Sequence, residues 1–227
     1  MASASERSGR SGPPADPDAL GEPRPLEPRD LPAATHAIAR AFAWYEPWGG
    51  WALPDASDRE ERLHRLIEAD VRERFLPFGE CWTIGGATTT LWIPPIGSAP
   101  GTEAFARRRG EAEYASFGDR GEAMRAGDEL IASLRPAEQH WYLDTIATAP
   151  ELFGRGLAGR LLEHDLAIRD TAGDLCALDT HTPRQISFYE RHGFSVVGEG
   201  ALGDELQVVM MVRRPGGSGE SQGRSAE

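Results

Sequence analysis

The stretch TAPELFGRGLAGRLLEHD, residues 148–165, places Gly154, Gly156 and Gly159 at the start of a helical pattern. Glycine has no Cβ atom, so backbone N–H groups in such a loop can approach an anion closely. A helix that begins near Gly156 adds the partial positive charge of its N-terminus. Leucines at helical spacing give this helix an apolar face that can pack on a sheet. The stretch therefore predicts an anion-binding corner between a strand and a helix.

The sequence around this corner predicts a mixed α/β domain. HWYLDTIAT (140–148) is a strand before the loop, and the helix after it runs to about Thr171. LCALDT (175–180) is a second strand, and its uniform apolarity is typical of a buried parallel position. One hairpin is expected about Gly85-Gly86, and SVVGEG and LQVVMMVR are expected to pair as a final hairpin. Further helices are expected at about 30–42, 58–76, 102–116, 126–134 and within PRQISFYERHGF.

Glycines with this spacing also match the dinucleotide-binding fingerprint. In that interpretation Asp179, which lies 20 residues after Gly159, would contact the ribose. Three observations weigh against that interpretation. PELF separates the strand from the glycines, a hairpin is expected ahead of the loop, and too few residues follow for a doubly wound sheet. A P-loop is excluded because no Gly-Lys-Ser/Thr follows. A glycine turn that only shapes a corner remains an alternative.

Composition narrows the classes of function. The 227 residues are 40% apolar, which suits one domain, and the net charge of −12 argues against a nucleic-acid partner. The chain has no run of 18 apolar residues and no apolar signal region, so we expect no membrane association. Two cysteines, Cys81 and Cys176, favour a reduced cytoplasmic protein. No metal-ligand spacing is found. We expect a disordered arm (1–22), one domain (23–213) and a disordered tail (214–227).

The order of strand, P-x-x-x-G-x-G-x-A, helix, buried strand and FYERHGF resembles the GNAT (Gcn5-related) N-acetyltransferases. Their loop pattern, Gln/Arg-x-x-Gly-x-Gly/Ala, holds the pyrophosphate of acetyl-CoA. Gly156 and Ala158 match its last two positions, and Phe153 stands at its first. Further pieces, ATTTLWIPP and LDTHTPRQISFYERHGFSVV, are similar to the puromycin N-acetyltransferase-like branch. The resemblance spans about residues 24–213.

This resemblance implies an α/β (α+β) GNAT fold, whose mixed, mostly antiparallel sheet has splayed parallel strands 4 and 5 flanked by helices. Acetyl-pantetheine would lie in the splay and pair with the backbone of one strand, and the glycine loop would hold the pyrophosphate. The implied cofactor-binding residues are Ile146, Ala147, Thr148, Phe153, Gly154, Arg155, Gly156, Leu157, Ala158, Gly159 and Gln185.

Acetyl transfer to an amine needs a base for the amine and a proton donor for the leaving thiolate. Tyr189, in FYERHGF, matches the family tyrosine that faces the CoA sulfur, and we assign it as general acid. Asp144 shares a face of the predicted strand, in which side chains alternate, with Tyr142 and Ile146, so it could point into the splay and is one candidate base. His181 follows the second strand, and imidazole titrates near neutral pH. Water chains are an alternative to both.

The acceptor side is expected from the first helices and the 94–138 insertion, where an aromatic loop could stack on a substrate. The predicted substrate-binding residues are Trp44, Tyr45, Glu46, Trp48, Trp92 and Tyr142. The sequence thus predicts an N-acetyltransferase for a small-molecule amine, such as an antibiotic or secondary metabolite, in a monomer or homodimer. A protein or peptide acceptor, or a CoA-binding module without catalysis, are the alternatives.

Overall fold

The computed structural model describes residues 17–45, 47–106 and 110–216. Glu46, 1–16 and 217–227 therefore lie outside the described residues, together with the predictions made for them. Within this part, seven strands form one sheet in the order β1-β2-β3-β4-β5-β7-β6. The strands are β1 (Arg24–Pro25), β2 (Glu80–Ile84), β3 (Thr88–Ile93), β4 (Trp141–Thr148), β5 (Cys176–Thr180), β6 (Ser195–Leu202) and β7 (Leu206–Arg213).

Nine α-helical segments accompany the sheet in the described residues. They are α1 (Leu31–Tyr45), α2 (Pro47–Ala52), α3 (Arg59–Asp70), α4 (Leu76–Phe78), α5 (Glu103–Ala106), α6 (Glu111–Ala115), α7 (Gly121–Leu134), α8 (Leu157–Ala172) and α9 (Pro183–Glu190). A π-helical turn, Val71–Phe75, joins α3 to α4. None of these helices is both long and apolar enough to cross a membrane.

Most predicted elements are confirmed, and the differences have local causes. The single helix expected at 102–116 is two short helices, α5 and α6. The loop expected after Tyr45 contains α2, which begins at Pro47, because proline fits a first helical turn. Asp30 does not cap α1; it ends a 3₁₀ turn, and its carboxylate binds the Arg24 guanidinium at 2.7 Å.

Two apolar layers cover the sheet. One face packs against α1, and its buried cluster includes Ile38, Phe75 and Tyr142. The other face packs against α8 and α9, and its cluster includes Trp92, Leu162 and Tyr189. The 3₁₀ helix Pro17–Leu20, part of the predicted N-terminal arm, also contacts the domain, because Leu20 packs on the second face.

A bulge interrupts β4 opposite β3. Leu91 pairs with Thr145 and Trp92 pairs with Leu143, so Asp144 is an extra residue without a partner position on β3. The regular alternation that we expected along β4 is therefore wrong. An extra residue inverts the pattern of faces, so Tyr142 lies on the α1 face and Ile146 on the α8 face.

Strands β4 and β5 are parallel, as predicted, but they are joined only at one end. Within the described residues, only Trp141–Cys176 and Tyr142–Ala177 are paired between them. The rest of β4 stays paired with β3, and the whole of β5 stays paired with β7. The sheet therefore opens into a gap between the C-terminal ends of β4 and β5.

Candidate active site

The gap between β4 and β5 is the centre of the candidate site. From Leu143 to Thr148, β4 is held by β3 on one side and faces the gap with its other edge. Ala147 and Thr148 are buried, and the Thr148 hydroxyl accepts a hydrogen bond from the Thr88 hydroxyl at 3.1 Å. The strand edge is thus rigid, and its backbone can pair with an extended ligand that contains amides.

The glycine loop stands at the open end of this gap. A 3₁₀ turn, Pro150–Leu152, follows β4, and Gly154 and Gly156 then adopt φ angles of 76° and 78°. A Cβ atom at either glycine would contact nothing within 4 Å, so the backbone conformation, and not crowding, favours glycine here.

Helix α8 begins directly after this loop, with Gly156 as its N-cap. The N–H of Arg155 donates to the Leu152 carbonyl at 3.3 Å, and the N–H of Phe153 donates to the Pro150 carbonyl at 3.2 Å. The N–H groups in the first turn of α8, by contrast, have no acceptor within the helix. A helix terminus of this kind can bind an anion.

Tyr189 lies on α9, under the α8 face of the sheet. Its side chain is 8% exposed and belongs to the same cluster as Leu143, with Ile146 packed against that cluster. The ring of Phe194 lies edge-on at 5.8 Å and holds the phenol in place. Thr182 caps α9 by accepting the Gln185 N–H, at 3.3 Å. The fold thus packs Tyr189 in the same apolar cluster as residues of both β4 and β5.

On the opposite face, three polar side chains join β4 to β5. The Tyr142 hydroxyl donates to Oδ1 of Asp179, and Oδ2 of Asp179 lies 3.5 Å from Nε2 of His181. Burial raises the pKa of Tyr142 well above its usual range, and the Asp179 charge adds to this effect, so the phenol stays protonated as donor. Asp179 therefore lies beside the His181 imidazole. The sequence had indicated Asp179 only as a ribose contact.

His181 also borders a small cavity of about 10 Å³ between α2, α7 and the final hairpin. Trp48 and Trp51 supply its aromatic wall, and Asp128 supplies a second polar group. The carboxylate of Asp128 accepts a hydrogen bond from the Tyr114 hydroxyl at 3.0 Å. The remaining walls are apolar side chains from α7, β6 and β7.

Comparisons with known proteins agree with this geometry. Residues 120–196, about a third of the chain, match the model of the acetyltransferase (GNAT) domain. That range contains β4, the glycine loop, α8, β5 and α9. The chain has a GNAT acetyltransferase fold. The predicted mixed sheet with its parallel, splayed pair is confirmed, and the matched domain supports an N-acetyltransferase enzyme that uses acetyl-CoA as cosubstrate.

Solved structures show the same fold at low sequence identity. The crystal structure of histone acetyltransferase HPA2 and related acetyltransferase from Corynebacterium glutamicum is 20% identical, with a TM-score of 0.62 over 86% of this chain and 96% of that one. An N-acetyltransferase from Staphylococcus aureus is 15% identical, with a TM-score of 0.54 over 85% and 100%. The C-terminal condensation domain of Ebony, bound to beta-alanyl-dopamine, is 10% identical, with a TM-score of 0.61 over 85% and 98%. At these identities the likeness concerns the fold alone.

Several residues that we predicted at the acceptor side of this GNAT fold are dispersed. Trp44 is 51% exposed, and its indole N–H donates to Glu60 at 2.8 Å, away from the cavity. Trp92 is fully buried under α8, so we no longer assign it to substrate binding. The side chain of Tyr45, like Glu46, is outside the described residues.

Asp144 is the extra residue of the sheet bulge in β4. It is exposed on β4, and Oδ2 of its carboxylate accepts the Thr145 hydroxyl at 3.1 Å. The two cysteines are inert core residues, because burial raises the pKa of each thiol to about 12. Neither Cys81 nor Cys176 therefore provides a thiolate nucleophile near neutral pH.

Proposed function

We propose that this GNAT enzyme transfers the acetyl group of acetyl-CoA to a primary amine of a small molecule, by direct attack in a ternary complex. The observation that carries the proposal is the gap between β4 and β5, which ends at the N-terminus of α8. A strand edge that can pair with amides, followed by a helix terminus that binds anions, suits a carrier whose pantetheine amides are followed by phosphates.

In this proposal the carrier extends along β4 from the glycine loop. Its pantetheine pairs with the backbone of Ile146, Ala147 and Thr148, and its pyrophosphate accepts N–H groups between Gly154 and Gly159. The exposed guanidinium of Arg155 and side chain of Phe153 border the phosphates. This arrangement places the thioester deep in the gap, where the two strands converge.

Two proton transfers accompany the reaction. The amine nitrogen, once neutral, attacks the thioester carbonyl, the C–N bond forms and the C–S bond breaks. Tyr189 donates its phenolic proton to the departing sulfur, so free CoA leaves as a thiol. Positioning both reactants in one complex supplies much of the rate enhancement, and no covalent acyl-enzyme is needed.

His181 is the base that the geometry favours over Asp144. Its ring is largely buried, borders the cavity and lies 3.5 Å from the Asp179 carboxylate. Asp144 is exposed on the bulge, and its carboxylate accepts the Thr145 hydroxyl. The sequence resemblance to the puromycin N-acetyltransferase-like branch supports a small-molecule amine, such as an antibiotic or secondary metabolite, as the acceptor.

Turnover with a panel of amines tests the function. The full chain is incubated with acetyl-CoA and small-molecule amines, and free thiol is titrated against time, while calorimetry measures CoA binding. Tyr189→Phe should lower kcat about 100-fold and leave the Kd for CoA unchanged, because the phenol acts on the leaving group. An equal loss of both would remove Tyr189 from the acid role.

CoA binding without turnover of any small amine would contradict the proposal and favour a binding module. Turnover of peptides alone would favour a protein acceptor. An absence of CoA binding would remove the gap as the cosubstrate site.

The base is tested by comparing His181→Gln with Asp144→Asn. A neutral imidazole accepts the proton, so wild-type kcat/KM should fall at low pH, and His181→Gln should lower it about 100-fold and flatten that fall. Asp179 lies beside His181 and Asp128 borders the same cavity, and both are retained in this variant. Asp144→Asn should change kcat/KM by less than about threefold. The reverse ranking would make Asp144 the base.

A further inference from the structure

The glycine loop is exposed along its length and is anchored at its two ends. Residues 153–156 are all exposed, whereas Leu152 before them and Leu157 after them are each 3% exposed. Both leucines belong to one buried apolar cluster, which also contains Leu161 of α8. The conformation of the exposed backbone therefore depends on how firmly this cluster holds the two leucines.

A segment from the start of the described chain closes this cluster. Leu20, at the end of the 3₁₀ helix Pro17–Leu20, is half-buried and packs against the cluster. The carbonyl oxygen of the next residue, Gly21, accepts a hydrogen bond from the guanidinium of Arg160 in α8. The N-terminal segment, residues 17–22, is thus joined to the loop and its helix by an apolar contact and by a hydrogen bond, although it lies far from both in the chain.

The turn between β2 and β3 makes room for Leu20. Gly85 in this turn has a φ angle of 60°, and an added Cβ would lie 3.0 Å from Cδ2 of Leu20 and 3.1 Å from its carbonyl oxygen. Glycine therefore suits both the backbone conformation and the close approach of Leu20. The same hairpin supports the base of the loop, because the N–H of Ala149 donates to the Ala87 carbonyl at 2.7 Å. Leu20 thus packs where the hairpin, the loop and α8 share one cluster.

A loop that is already held in its binding geometry binds its ligand more tightly, because less conformational freedom is lost on binding. We infer that residues 17–22 fasten the glycine loop in the geometry that binds the CoA phosphates, with Leu20 as the positioning residue. The inference rests on the proposed function, in which N–H groups between Gly154 and Gly159 bind the pyrophosphate. Leu20 acts on the cosubstrate through the apolar cluster.

Three variants of the full chain test this inference. Leu20→Ala removes most of the side chain, and Leu20→Met keeps its apolar volume. Leu76→Ala is the matched control, because Leu76 is also half-buried but packs against the cluster on the α1 face.

Three measurements are made on each variant. Amide hydrogen exchange over residues 153–160, several of whose N–H groups are hydrogen-bonded within the loop, reports on the loop without any ligand. Calorimetry gives the Kd for CoA. Thiol release gives the KM for acetyl-CoA and for S-acetylpantetheine, a donor that has the same thioester arm and no phosphates.

Leu20→Ala should speed hydrogen exchange in the loop about tenfold and should raise the Kd for CoA and the KM for acetyl-CoA about fivefold to tenfold. Its KM for S-acetylpantetheine should stay within about twofold of the wild type, because that donor does not use the loop. Leu20→Met should match the wild type. Leu76→Ala should lower stability in urea and leave loop exchange and the Kd for CoA unchanged.

Unchanged loop exchange in Leu20→Ala, an unchanged Kd for CoA, or an equal rise in KM for both donors would each overturn the inference, and so would the same effects in Leu76→Ala. If the wild type still binds CoA and transfers acetyl groups, the proposed function stands in each of these cases. Faster loop exchange in Leu20→Ala, with no binding of CoA by the wild type, would uphold the fastening of the loop and contradict the proposed function.

Discussion

At the scale of single residues, the sequence identifies residues that belong to a local motif better than residues whose contacts are distant in the chain. Tyr189 and the loop glycines belong to short local patterns, so the sequence was sufficient to single them out. Asp179 and Asp165 were missed as core-facing carboxylates, because their partners are distant in the chain. Asp165 on α8 is fully buried, and its Oδ2 accepts Thr90 at 2.6 Å and Trp92 at 2.7 Å.

Asp165 lets us predict a stability effect. Asp165→Ala should lower the free energy of unfolding by about 3 kcal/mol, because it leaves the Thr90 hydroxyl and the Trp92 indole N–H buried without their acceptor. Asp165→Asn keeps an oxygen for them and should cost about 1 kcal/mol or less at neutral pH. Urea denaturation of both variants measures the difference; similar losses for the two would contradict it.

The same carboxylate gives the effect a pH dependence. Burial raises the pKa of Asp165 above its usual range, which outweighs its hydrogen bonds from Thr90, His164 and Trp92. A raised carboxyl pKa means that the folded state holds the proton more tightly than the unfolded state. Stability from this group is therefore lost as pH rises through the folded pKa. The wild type should lose stability relative to Asp165→Asn over that rise.

At the scale of elements, the spacing of apolar residues and the position of glycines at turns predicted most helices and strands, including both hairpins and α8. The bulge at Asp144 could not be predicted, because it depends on the pairing with β3 and not on the residues of β4. The π-helical turn after α3 likewise continues a helical pattern that the sequence shows as one segment. Long-range pairing therefore decided which face each residue of β4 took.

Helix α8 offers a matched pair of substitutions. Gly156 and Gly173 stand at its two ends with φ angles of 78° and 76°, and neither has a neighbour within 4 Å of an added Cβ. Alanine at either position should cost about 1–2 kcal/mol of stability through left-handed strain. Only Gly156→Ala should also weaken CoA binding, about tenfold, because it distorts the helix terminus at the gap.

Calorimetry with CoA and urea denaturation of the two variants separate the effects. Gly173→Ala serves as the control for stability alone. A similar CoA affinity in both variants would show that the loop does not hold the phosphates.

At the scale of the whole molecule, the sequence predicted a mixed sheet with one parallel pair, and the structure confirms it. The cavity beside His181 was harder to predict, because it is assembled from α2, α7 and the last hairpin, which lie far apart in the chain. Aromatic residues that are close in sequence have different surroundings in the structure: Trp44 donates to Glu60, whereas Trp48 lines the cavity. The clustering of aromatic residues in the sequence therefore predicted only some of the residues that line the cavity.

The gap between β4 and β5 also has a consequence for the order in which the site is synthesised. The lip of the gap with the glycine loop is made of residues 141–172, and the other lip, with Tyr189, is made of residues 176–213. A ribosome therefore synthesises β4 and α8, which we propose to bind the phosphates, before it synthesises Tyr189. A nascent chain at that stage holds half of the cleft, and the last segment to emerge, β5 to β7, closes it.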